Sequence, residues 1–198
     1  MWDATAEKRV PTLATVADFA RFLPLSNRPH GDESDVSSDR HAAEAAVVEQ
    51  AAKLIARSSA DEAEPLTLGF LHESGLESLA PGDVADPAAR LAATARAVRS
   101  GRRRGIRHLA RTVRALLLLG RQAGVAVALD PTTSGSVALY GATSASFDRR
   151  AVLAGHTVKA TDAEWEFGRG PVLEGTALDI VAFVLGVSDH APRLAAGG

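Results

Sequence analysis

An α+β fold, with a helical N-terminal half followed by a small antiparallel sheet covered by helices, is predicted by three features of this 198-residue chain. Up to about residue 122, apolar residues recur at three- and four-residue intervals. From Val125 the apolar period changes to two, the spacing of a strand. After the glycine-rich turn at 168–171 a short apolar run returns to helical spacing. The chain therefore divides into a mainly helical region at 1–122 and a sheet-plus-helix region at 123–190.

In the first region a short helix is predicted at 16–23, where Val16, Phe19, Phe22 and Leu23 share a face and Pro24 stops the run. Residues 26–40 are polar and acidic. They carry too little apolar area to offset their ordering entropy, so a mobile loop is expected there. Ala45, Val48, Ala52 and Ile55 form a stripe that predicts a helix over 41–57, with Asp39 as its N-cap. Residues 58–65 read as a break. The stretch 66–79 is ambiguous and fits a strand running into a short helix. Pro81, Gly82 and Asp83 make a turn. Asp86 followed by Pro87 has the form of an N-cap and first helical residue, for a helix reaching about residue 99. Gly101 and Gly105 interrupt it. A further helix over 106–122 carries the stripe Ile106, Leu109, Val113, Leu116 and Gly120, and Gly124 is its stop.

In the second region Val125, Val127 and Leu129, then Val137 and Leu139, alternate with small residues about the turn-rich 130–135, which predicts a hairpin. A connector at 144–150 leads to a third strand at 152–160 and a turn at 161–163. Trp165 and Phe167 point to one side and Glu164 and Glu166 to the other. After the turn at 168–171 come a short edge strand at 172–174 and a helix at 176–187 with Ala177, Ile180, Val181, Val184 and Leu185 on its apolar face. The tail from Ser188 is expected to fray.

Hydrophobic content of 46% and charged content of 23% place the chain in the soluble globular class. No apolar run approaches the roughly 18 residues of a membrane span. The opening residues, with Asp3, Glu7, Lys8 and Arg9, do not read as a secretory signal, and a cytoplasmic location fits. There is no cysteine, which excludes disulfides, thiolate metal sites and a cysteine nucleophile. The net charge of −2 conceals an asymmetry. Residues 1–89 hold 16 acidic and 7 basic side chains, and residues 90–198 hold 8 and 15. Such halves attract each other or present faces of opposite sign. Ten of the basic residues are arginines within 90–121. Guanidinium forks suit carboxylates and phosphates. Arg107 and Arg111 are the candidate anion holders, and pairing with the acidic half accounts for several of the others. Nucleic acid is a poor match, since no aromatic side chains are interleaved to contact bases.

The remaining chemistry is sparse. His41 and Glu44 stand three apart on a predicted helix and could face one ion, as could two groups on any solvated helix face. His108 lies among arginines, which disfavour a cation. Gly168–Gly170 lacks the Gly-Lys-Ser/Thr of a phosphate loop, and Ser134 lacks the strand-to-helix setting of a nucleophile elbow.

One pattern points to a family. Asp162, Trp165, Gly168, Gly170, Pro171 and Gly175, ahead of an apolar helix, resemble the C-terminal domain of the mycothiol-dependent maleylpyruvate isomerase-like family over about thirty residues. Trp2-Asp3-Ala4 is a weaker echo of the way its members open. The resemblance implies a DinB-type helical bundle followed by a small α/β domain. It also implies a divalent metal (zinc), mycothiol, and isomerisation or S-transfer on a small acidic or electrophilic metabolite. Three inward-facing side chains of the bundle, one set as Glu-x-x-x-His, would hold the metal. In this chain no histidine follows a glutamate by four residues. His41, Glu44 and His108 are the remaining candidates. A non-catalytic small-molecule-binding or protein-docking module is the alternative reading.

Overall fold

The computed structural model describes residues 40–195. The helix expected at 16–23, and the acidic loop up to residue 39 with its Asp39 cap, lie outside the described residues. Four helices come first: α1 (His41–Ile55), α2 (Ala60–Ser74), α3 (Pro87–Ser100) and α4 (Ile106–Ala123), with a 3-10 turn at Glu77–Leu79. Helix α1 packs on α3 and α4, and α2 packs on α4. Their shared core includes Val48, Ile55, Leu91, Val98, Leu109 and Leu116, all fully or almost fully buried.

The acidic and basic halves meet through these helices. Arg90 pairs with Glu64, Arg99 with Glu49, Arg104 with Glu44 and Arg114 with Glu73. The hydrogen bond from Arg99 holds the Glu49 carboxyl below its usual range, and the same bond raises Arg99. At least four of the ten arginines in the segment thus act as internal counter-charges to the acidic helices.

Two expectations for this region change. Residues 60–74 are one helix, which takes in most of the expected break at 58–65 and replaces the strand expected to open 66–79. Asp61 and Glu62 favour its N-terminus, and Thr67, Phe70, Leu71 and Ser74 bury one face at helical spacing. The buried face thus follows a 3-4 pattern that includes polar residues, which a count of apolar positions does not register. Helix α1 also starts after Arg40, which makes no side-chain cap bond.

The larger correction lies beyond Gly124. No hairpin spans 125–140. Residues 131–144 form helix α5 (Pro131–Ser144). Asp130 caps it, accepting from the Thr133 amide at 2.8 Å, and Pro131 takes the first helical position. This repeats the Asp-Pro start of α3, where Asp86 accepts from the Ala89 amide at 2.7 Å. The third strand is likewise shorter than expected. A helix, α6 (Phe147–Leu153), takes most of the expected connector and the first two residues of the expected strand, and β1 (Thr157–Ala160) is its last four.

The sheet is mixed, not antiparallel, with order β2-β1-β3-β4: β2 (Glu166–Gly168), β3 (Val172–Gly175) and β4 (Arg193–Leu194). Strand β1 pairs antiparallel with β2 and parallel with β3. Both Gly168 and Val172 lie opposite Thr157, on its two sides. The three intervening residues must therefore carry the chain across the entry to β1. They do so against bare backbone. A Cβ on Gly168 would lie 2.2 Å from the His156 carbonyl oxygen, and one on Gly170 would lie 2.0 Å from that of Gly155. Both glycines hold positive φ, +94° and +120°.

Helix α7 (Ala177–Val184) follows β3. Thr176 caps it locally, and Asp162 caps it from a distance, its Oδ1 accepting from the Ala177 amide at 2.6 Å. Asp162 thus ties the turn after β1 to α7 rather than bracing its own turn. Removing it as Asp162→Ala is expected to cost about 1 kcal/mol, read by urea unfolding, with Asp162→Asn retaining most of the stability. Trp165 is half-buried. Its indole donates to the Ser134 hydroxyl at 3.1 Å, lies on the bare face of Gly135 and stacks on Phe167 with centroids 6.0 Å apart. Helix α5 packs against both α4 and α7, and so links the helical half to the sheet.

Candidate functional site

A groove of about 660 Å³ lies where the end of α4 faces α7. Its apolar wall is Leu117, Val125, Val127, Leu178, Ala182 and Val187. Its polar rim is Arg121, Asp179, Ser188, Asp189 and His190. This volume is in the usual range for small-ligand sites.

Each polar group is placed by a local cause. Arg121 is in the last turn of α4 and donates to the carbonyl of Val187, just past α7. A cation is favoured at both of these helix ends. Arg149 of α6 braces the same segment. Its guanidinium donates to the carbonyls of Phe183 and Ser188, each at 2.6 Å, and to the Asp189 carboxylate at 2.5 Å, and lies 5.0 Å over the Phe183 ring. The Ser188 hydroxyl and His190 Nδ1 are 3.1 Å apart, and the hydroxyl oxygen also accepts from the His190 amide. That local turn orders the rim but provides no third group to orient the imidazole for nucleophilic catalysis. The expected fraying from Ser188 is thus replaced by a braced segment that ends as β4.

The residues singled out from sequence lie elsewhere. Arg107 and His108 are exposed in the first turn of α4. Arg111 is bound to the end of α2, donating to the carbonyl of Glu73 at 2.7 Å and to that of His72 at 3.0 Å, with its guanidinium against Gly75. It closes a helix C-terminus rather than a ligand pocket. Glu44 is fully buried, and both of its oxygens are engaged. Oε2 accepts from Arg104 Nε at 2.5 Å, and Oε1 accepts from the Thr112 hydroxyl at 2.9 Å. His41 is half-buried one turn earlier on α1. The structure keeps His41 and Glu44 on one helix but does not gather them with His108. Among the described residues, no three histidine, aspartate or glutamate side chains cluster as metal ligands. A carboxylate satisfied by a guanidinium and a hydroxyl is a poor zinc donor, so this trio does not fit the metal that the family resemblance implies.

The arginine-rich segment does reach the groove, but not through Arg107 or Arg111. Arg121, the last of the ten, is the one at the groove. The available signal was its place in the last turn of a helix stopped by Gly124, because chain ends and turns line junctions. Compared with known protein families, curated proteins and solved structures, the chain matches none.

Proposed function

We propose that the chain is a non-catalytic binding module, acting in the cytoplasm, whose groove between α4 and α7 holds a ligand with an apolar body and an acidic group. Arg121 supplies the cation and the Leu117, Leu178 and Ala182 wall takes the apolar part. The observation that carries this reading is the position of Arg121. It is a guanidinium at an apolar groove, with only one of its donors directed to Val187. Asp179 and Asp189 are on the same rim but tied to neighbours, to Thr176 and Arg149.

Anilinonaphthalene sulfonate, an apolar anion that fluoresces when sheltered from water, tests it. Saturable binding is expected, weakened about tenfold by Arg121→Gln, because a charge-assisted hydrogen bond contributes about 1.5–3 kcal/mol. Ala182→Phe, which fills the groove, should abolish it. Equal affinity in all three proteins would remove the proposal.

The thiol-dependent isomerase or S-transferase reading rests on the C-terminal resemblance. Its support is architectural: a set of helices precedes a small sheet domain, and Asp162, Gly168 and Gly170 have specific backbone duties there. No step can be assigned to His41, Glu44 and His108. Stoichiometric zinc in the purified chain, with mycothiol-dependent turnover of a small electrophile, would favour that reading over the binding module.

A further inference from the structure

We infer that the occupant of this groove is an extended peptide that adds as a strand alongside residues 126–129 and places a carboxylate on Arg121. The inference rests on the groove being a binding site and names its ligand class.

The segment between α4 and α5 reads Val125-Ala126-Val127-Ala128-Leu129, a sequence with strong strand preference. It belongs to no strand of the sheet. Its exposure nevertheless alternates as a strand's would. Ala126 and Ala128 are exposed, while Val127 and Leu129 are half-buried against the core. The segment is anchored at both ends. The Val125 amide donates to the Gly120 carbonyl, and Asp130 caps α5. Gly120 lets it lie directly on α4, where a Cβ would come within 2.7 Å of Val127 Cγ1 and 2.9 Å of the Val125 carbonyl oxygen.

Among the described residues, no peptide N–H or C=O of 126–129 has a hydrogen-bond partner. A strand-prone stretch, held at both ends and lacking a neighbour, is a template for strand addition. Residues 125–127 also line the groove. A strand laid there would run about 13 Å along four residues, at 3.3 Å each. Alternate side chains would enter the wall of Leu117, Leu178, Ala182 and Val187. A compact metabolite would leave these peptide groups unused; an extended peptide along one edge engages those of alternate residues.

The test is binding of acetylated hexapeptides to the full chain. The peptides carry Val, Ile or Thr at alternate positions and an acidic residue at one end. Affinity is read by isothermal titration, and amide hydrogen exchange locates the contact. Binding is expected to slow exchange at 126–129. N-methylating alternate peptide amides, which keeps every side chain, is expected to weaken binding at least tenfold in one of the two alternation sets, and Arg121→Gln should weaken it similarly. The inference is overturned if none of the peptides binds, if both N-methylated sets bind unchanged, or if protection appears away from 126–129. Should peptides fail while anilinonaphthalene sulfonate still binds in an Arg121-dependent way, strand addition is wrong and the groove reading survives. Loss of both removes both.

Discussion

Arg104→Met is expected to cost about 3–5 kcal/mol of folding stability, a large share of the roughly 5–15 kcal/mol available to a typical domain. Glu44 is fully buried in the α1–α4 core, and the Arg104 guanidinium lies 2.5 Å from its carboxylate. Removing the cation leaves a buried negative charge held by the Thr112 hydroxyl, and that single neutral donor cannot replace the lost solvation. The paired replacement, Glu44→Leu with Arg104→Met, removes both charges. It should recover most of the loss, because a buried ion pair and an apolar pair of similar volume are often close in free energy. Urea unfolding of the wild type, the single variant and the double variant checks this. A single variant within 1 kcal/mol of wild type would mean that Glu44 reaches water.

Gly170→Ala is the second large effect. At φ +120° an alanine is strained by about 1–3 kcal/mol on backbone grounds alone. Its methyl group would also stand 2.0 Å from the Gly155 carbonyl oxygen, and that oxygen belongs to backbone that cannot swing aside. The crossing from β2 to β3 should therefore open. The expected result is loss of sheet protection in amide exchange over β1 and β3, with α1–α4 still protected. Gly69→Ala is the matched control. Gly69 lies inside α2 with nothing within 4 Å of its added methyl group, and the change is expected to stabilise by about 0.5–1 kcal/mol.

Helices α1, α3 and α4 of the first half were legible because their apolar residues are spaced for one buried face, and the start of α3 and the end of α4 carry punctuation; α2 was not. Asp86-Pro87 and Gly124 are where the sequence places them. The failure at 125–140 has a specific cause. Val137 and Leu139 alternate, but α5 is built on small residues, and a helix rich in Ser, Gly, Ala and Thr has little periodic contrast to detect. Gly135 lies under Trp165, and Gly141 lies under Val184, where a Cβ would be 2.4 Å from Cγ2. The face is selected for thinness rather than for hydrophobicity. Its Asp130-Pro131 start was the readable sign. The parallel pairing of β1 with β3 was not legible at all, since nothing local distinguishes a three-residue crossing from a hairpin turn except the demand for two glycines. The site was half legible. The arginine-rich segment does supply the groove's cation, but which arginine reaches it depends on where α7 ends.

The way the guanidinium groups close helix ends explains a bias in composition. The chain has 19 arginines and only 3 lysines. Arg111 spans two carbonyls at the end of α2, and Arg149 spans two more, plus a carboxylate, beyond α7. Each uses a rigid planar fork to gather acceptors fixed by different turns. An ammonium group carries the same charge on a flexible stem and has no such preset spread. Lysine at either position would keep the electrostatics and lose the staple.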